Sequence, residues 1–282
     1  KSISLGMEPI QAIAMATCHA ADTYGLDKAG ILEEGRDADI VVLDSLENVD
    51  VFAVYKKGKK VCSEMFDIPV RPVKESMLHT VILKDLSEEK IQVKVKGKIP
   101  VIGMIPGQIV TQFLTEEVPS KDGFFIPNET YSKLCVFERH RNTGNAAAAP
   151  IRGYGITGGA IATSVAHDSH NIIAAGDNDE DILCAAKAIE EMQGGYVLVS
   201  GGKIKGKLPL PVAGLLSMEP SDKLQKNIDL MLKKAWEMGI SKNIDPFITL
   251  SFMALPVIPE LRLTDLGLVD VTKFELLRKK EG

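Results

Sequence analysis

The sequence predicts an α+β protein, on three observations. Segments of strand composition come in runs, and the well-signalled helices are set between those runs instead of after every strand. The texture of the chain changes over residues 67–80, where Pro69 and Pro72 interrupt it. Two domains are therefore expected, residues 1–66 and 81–282, joined by a linker. At 282 residues the chain is long enough for both to be compact.

Composition narrows the class. Apolar residues make up 45% and charged residues 25%, which argues against disorder of the whole chain. The net charge of −5, with Lys and Arg scattered along the chain, argues against a nucleic-acid partner, which calls for basic residues gathered on one face. No run reaches the ~20 apolar residues of a membrane span, and no signal-peptide pattern is present. A cytoplasmic protein without a membrane partner is expected. Cys18, Cys62, Cys135 and Cys184 lie far apart with no C-x-x-C pair, and buried free thiols in a reducing compartment are the simplest account. The chain opens at Lys1 without Met and runs straight into a helix, which reads as a piece of a longer protein.

The elements follow in order. Gly6 to Ile10 starts a helix with Pro9 in its first turn, where the missing N–H costs nothing. Ile10, Ile13, Ala14, Thr17 and Ala20 recur at helical spacing up to about Tyr24, with Gly25 as the stop. Ala38–Leu43, Val51–Tyr55 and Lys60–Cys62 read as three short strands, the last two joined through Lys57–Lys59. Beyond the linker, Ile91–Lys96 alternates strictly and predicts a half-buried strand. Pro100–Pro106, Gln108–Phe113 and Leu134–Phe137 continue the β character. Asn178 or Asp179 caps a helix carrying Ile182, Ala186 and Ile189, closed by Gly194 and Gly195. Tyr196–Ser200, Gly201-Gly202 and Lys203–Lys205 form a hairpin. Ser221 caps a second helix with Leu224, Ile228, Met231, Ala235 and Met238 on one face and Gly239 as its stop. Asp245 and Pro246 start a short helix running to about Ala254.

Three stretches carry candidate chemistry. Gly153, Gly155 and Gly158 match G-x-G-x-x-G, but a dinucleotide loop needs a helix opening inside it. Ala160–Val165, which follows, has strand composition, so a glycine-rich turn between strands is expected. The segment from Val165 to Asn171 holds His167, Asp168, Ser169 and His170 at the end of an apolar run. Adjacent residues cannot form a Ser–His–Asp triad, because the base must stand between the nucleophile and the group orienting it. Three readings stay open: a polar loop satisfying its own backbone, a ligand-facing loop, and a metal site of H-x-x-H type. Glu138, Arg139 and His140, followed by Asn142–Asn145, make a second polar loop after a buried strand. If the two loops meet, His140, His167 and His170 form one cluster. His19, inside an apolar helix, is expected to be a satisfied interior histidine, and His79 carries no argument. H-E-x-x-H, H-x-E with P-C-x-x-C, and H-x-H are all missing, so no strong metal site is built by local spacing.

Two stretches resemble a known family. Pro9–Ala21, Gly25, Gly30, Gly35–Asp44 and Val54–Val61 look like the tail of an amidohydrolase, where the last barrel helix is followed by strands of a small flanking β-sandwich. Val101–Val110, Glu138–His140 with Thr143–Asn145, Gly158–Ile172, Leu208–Gly214, Asp245–Phe252 and Leu255–Glu260 resemble the additional C-terminal domain of adenine deaminases. Together they cover nearly the whole chain.

The resemblance implies the end of an amidohydrolase barrel plus β-sandwich strands over residues 1–66, then a mixed α/β adenine-deaminase C-terminal domain over 81–282. It implies an intact enzyme that hydrolyses adenine to hypoxanthine and ammonia, and a homo-oligomer. The intact enzyme would carry a divalent metal, manganese or iron, which makes hydroxide available near neutral pH. The family's metal ligands and proton shuttle match no residue here, so none is carried over, no metal is expected in this chain, and the chain alone is expected to be inactive. Glu138, Arg139, His140, His167, Asp168, Ser169 and His170 remain as site-lining or supporting residues. Another amidohydrolase, such as a dihydroorotase-like one, would fit residues 1–66 but not the domain after the linker. A substrate-covering or assembly module without chemistry of its own is the other alternative.

Overall fold

A computed structural model describes residues 1–66 and 72–277 and divides the chain into two compact units, Lys1–Pro72 and Val73–Gly282. The expected linker, residues 67–80, lies partly outside the described residues. Its described part holds one short 3-10 turn, Glu75–Met77.

The first unit holds α1 (Pro9–Ala16), α2 (Cys18–Tyr24), β1 (Ile40–Leu43), β2 (Val51–Lys56) and β3 (Lys59–Lys60). Glu8 caps α1 by accepting from the Ile10 and Gln11 N–H groups. The single helix expected up to Tyr24 is broken at Thr17, whose φ/ψ of −123°/−91° is not helical. The three strands form one antiparallel sheet in the order β1-β2-β3.

Among its described residues this unit has almost no interior: Ala21 and Ala53 are the buried apolar ones, while Phe52 is 68% exposed and Ile10, on the expected apolar face of α1, is 59% exposed. His19 is exposed, which corrects the expectation of an interior histidine. Burial is what offsets the conformational entropy of folding. Expressed alone, residues 1–72 should therefore show no cooperative thermal transition and should bind a hydrophobic dye, whereas residues 73–282 should melt cooperatively. Calorimetry of the two pieces checks this.

The second unit opens with β4 (Ile99–Met104), β5 (Thr111–Glu116), β6 (Ser120–Lys121), β7 (Phe124–Phe125), β8 (Tyr131–Phe137), β9 (Ala146–Arg152), β10 (Ala160–Thr163) and β11 (Ile172–Gly176). Then come α3 (Asp179–Glu191), β12 (Gly195–Ser200), β13 (Lys203–Pro209), α4 (Ser221–Glu237), α5 (Pro246–Phe252), β14 (Leu261–Thr264), β15 (Gly267–Asp270) and β16 (Glu275–Leu276). An eight-stranded mixed sheet runs β13-β12-β10-β11-β8-β9-β4-β5, antiparallel except for the β4–β9 pair. The unit is thus mixed α/β, with one large sheet and few helices.

Strand periodicity sorts the core. Leu134 and Val136, Ile173 and Ala175, and Leu198 point to the face covered by α4, α5 and β14. Cys135 and Phe137, Ile172 and Ala174, and Val197 and Val199 point to the opposite face, covered by α3 and the segment around Val81–Ile91.

Several local expectations change. Ile91–Lys96 is not a strand: Glu88–Ile91 is a 3-10 turn, and Lys94 makes one isolated bridge to Phe124. Asn178 caps α3 as its side chain accepts from Asp181 N. Ser221 is instead the first residue of α4, which starts after Pro220 with no side-chain cap. The glycines at 153, 155 and 158 link strand β9 to strand β10, with no helix opening among them. The cysteines are free thiols, but of the three in apolar runs only Cys135 is buried. Among the described residues, no helix is long and apolar enough to cross a membrane.

Candidate functional site

Phe137, the last residue of β8, pairs with Ile172, the first of β11, so the chain leaving β8 and the chain entering β11 emerge at the same end of the sheet. Register alone therefore brings the two polar loops together. Glu138, Arg139 and His140 follow Phe137; His167 to Asn171 precede Ile172.

Arg139 is the fastener. It is 1% exposed, and its Nε donates to the His170 carbonyl, its Nη1 to the Thr80 carbonyl (3.0 Å) and its Nη2 to the Ala213 carbonyl (3.2 Å). One guanidinium fork thus ties three chain segments through backbone acceptors. Burial draws its pKa down to about 10, which still leaves it charged at neutral pH. Gly214 makes room for it: a Cβ there would lie 2.8 Å from Arg139 Nη1, and its φ of +73° suits glycine.

Glu138 organises its own loop. Its carboxylate accepts from the backbone N–H groups of His140, Arg141 (2.7 Å) and Thr143 (3.0 Å) and from the Thr143 hydroxyl (2.9 Å). Burial by itself would raise the Glu138 pKa, but these donors outweigh it and hold it at about 2.

The second loop is tied to the first and to α5. His140 Nε2 donates to the Ser169 carbonyl (2.7 Å), and His167 N donates to the Ser251 carbonyl (3.0 Å). The His167 ring lies 4.8 Å from Phe252 and 5.6 Å from His170, centroid to centroid. Burial, then the neighbouring His167 and Arg139, lower the pKa of His170, favouring its neutral form. Asp168 and Ser169 are exposed at the tip.

One contributor had no signal in the local sequence. Asp265, in the turn between β14 and β15, accepts from Asn145 Nδ2 (3.3 Å) and from Asn171 Nδ2 (3.2 Å), locking both loops to a third segment. This fixes the Asn171 amide so that Oδ1 faces away from the carboxylate. That oxygen and His170 Nδ1 are buried atoms without a hydrogen-bond partner. Unpaired polar atoms of this kind cost about 1–3 kcal/mol each, and the two lie on adjacent residues, with hydrogen-bonding capacity that no described residue fills.

The cluster does not fit a metal centre. No three His, Cys, Asp or Glu side chains among the described residues are grouped to hold one. His140 Nε2 is committed to a carbonyl, and the His167 ring rests on Phe252.

Comparison with known proteins adds the family. A family model described as adenine deaminase C-terminal domain matches residues 108–275, and one for the amidohydrolase family matches residues 3–63. An adenine deaminase of Desulfitobacterium hafniense (strain Y51) is 45% identical over 279 residues, covering 99% of this chain and 49% of the relative. One of Dehalococcoides mccartyi is 43% identical over 282 residues, covering 98% and 49%, and one of Nitratidesulfovibrio vulgaris (strain DP4) is 42% identical over 279 residues, covering 97% and 48%. The chain spans about half the length of the curated relatives it matches. Because the first match takes in more than half of the residues, including both polar loops and Asp265, the chain belongs to the adenine deaminase C-terminal domain family.

Proposed function

We propose that this chain is part of an adenine deaminase, which converts adenine and water to hypoxanthine and ammonia. The observation that supports it is the match to relatives of that name along 97–99% of the chain, through both units. In the reaction a water oxygen bonds to C6 of the purine and the C6–N6 bond breaks, with the departing nitrogen taking up a proton.

The described residues do not fit the manganese or iron centre expected of the whole enzyme, so no step is routed through a metal here. We assign the metal-binding half to the part of the relatives' length that this chain does not span. In that division residues 1–66 form the end of a barrel and strands of its flanking β-sandwich, residues 67–80 a linker, and residues 81–282 the C-terminal domain. The whole enzyme is a cytoplasmic homo-oligomer acting on a small purine. In this reading the loop of His167, Asp168, Ser169 and His170, held by Glu138, Arg139 and His140, faces the substrate.

Ammonia release from adenine with added Mn²⁺, measured on this chain and on one extended to the relatives' length, tests the proposal. Activity only in the longer chain is expected; turnover by the 282-residue chain would overturn the division of labour, and no turnover by either would overturn the function. In the longer chain, replacing His167 and His170 with alanine should lower kcat/KM at least about tenfold, ~1.4 kcal/mol, with the oligomer unchanged. Dissociation of the oligomer at unaltered rate per subunit would show the loop to be an assembly element instead.

A further inference from the structure

Phe252, whose ring neighbours that of His167, also lines a surface depression of about 200 Å³ formed by residues of the β4–β5 connection, of α5 and of the segment just before it. Ile109, Ile244, Ile248, Phe252 and Met253 give it apolar walls, and Gln108, Asn243, Asp245 and Thr249 supply its polar groups. The volume is below the ~300–1,000 Å³ that takes a drug-sized ligand, and it matches a single small ring system.

The polar lining residues narrow the ligand's chemistry. Among the described residues, Asp245 is the only charged one lining the depression. Its Oδ1 accepts from Phe247 N (3.0 Å) and Ile248 N (2.9 Å), so the first N–H groups of α5 are already satisfied and offer nothing to an anion. Its other oxygen, and the side chains of Gln108, Asn243 and Thr249, make no hydrogen bond among the described residues. A carboxylate oxygen wants an amine or ring N–H, the two amides can both donate and accept, and apolar walls suit a flat ring face. A phosphate would meet the negative charge without a compensating cation. The lining therefore favours an uncharged nitrogen heterocycle bearing an exocyclic amine over its phosphorylated form.

We propose that this depression binds a free aminopurine base and reports its occupancy to the His167–Asn171 loop through Phe252. The link is short: the Phe252 ring is 4.8 Å from the His167 ring, and the Ser251 carbonyl accepts from His167 N (3.0 Å). Naming adenine as the base rests on the function proposed above; the amine-bearing heterocycle follows from the lining alone.

NMR titration of the purified 282-residue chain with adenine is the test. Saturable shifts are expected at the Ile248, Thr249 and Phe252 amides and at the His167 ring, with adenosine monophosphate giving none at equal concentration. Asp245→Asn keeps an N-cap residue of equal quality but removes the charge, and should weaken binding about tenfold. Thr249→Trp, which fills the depression, should abolish it. Absence of saturable shifts, binding indifferent to both variants, or equal binding of the monophosphate would overturn the proposal. The two readings fail separately. An extended enzyme that deaminates adenine while this chain fails to bind it would remove the site and leave the function. Binding here with an inactive extended enzyme would do the reverse.

Discussion

Replacing Arg139 with alanine should destabilise the second unit by about 3–5 kcal/mol, the combined cost of three carbonyls left unpaired and of the space opened. The side chain is 1% exposed and lies at the junction of three segments, with the carbonyls of Thr80, His170 and Ala213 as its partners. Truncation leaves those acceptors buried and unpaired, and it opens a space that Gly214, having no side chain, cannot fill. For a domain of this size the loss corresponds to about 10 °C in Tm. Arg139→Lys should recover only part of it, because an ammonium carries the charge without the planar fork that reaches three carbonyls in different directions. Urea unfolding followed by circular dichroism measures both variants. A loss below about 1 kcal/mol for Arg139→Ala would mean that the carbonyls re-pair with water, and that Arg139 is not what holds the loops together.

That junction shows where sequence reading reached and where it stopped. The apolar run Leu134–Phe137 and the cap at Asn178 are local signals, and the structure has a strand and a capped helix there. The polar loops at Glu138–His140 and His167–His170 were also legible, because each ends an apolar run. Their meeting was not, since it depends on β8 pairing with β11 in a register that places Phe137 opposite Ile172.

Strand β9 escaped notice for a different reason. Ala146 to Ala149 has poor strand propensity, yet these residues pair with Leu134–Phe137 and pack against side chains of the neighbouring strands, so tertiary context decides. Ile91–Lys96 is the converse case: an alternating pattern that meets only the two-residue strand β7, through the Lys94–Phe124 bridge, and so forms a turn and one bridge instead of a strand. Asp265 lies 94 residues from Asn171 and 120 from Asn145. No spacing rule connects a lone acid in a hairpin turn to two asparagines at such distances.

Acid should expose the second large dependence, through Glu138. Its carboxyl is held at about 2 against an ordinary value of 4.5, so the folded state releases this proton more readily than the unfolded chain does. The carboxylate therefore contributes its full stabilisation above about pH 4.5. That contribution is lost as the pH falls through about 2, because between those limits the unfolded chain binds more protons than the folded one. The size of the shift sets it at about 3 kcal/mol. Glu138→Gln should cost about 2–3 kcal/mol at neutral pH, since the amide keeps one acceptor but turns an N–H toward donors that the second oxygen now satisfies. The same variant should flatten the fall in stability between pH 4.5 and 2, a signature that simple loss of packing would not produce. If the acid limb of the variant matches that of the parent, some other carboxylate carries it. The Glu138 loop would then owe its shape to Arg139 and the Asn145–Asp265 contact, not to its own acid.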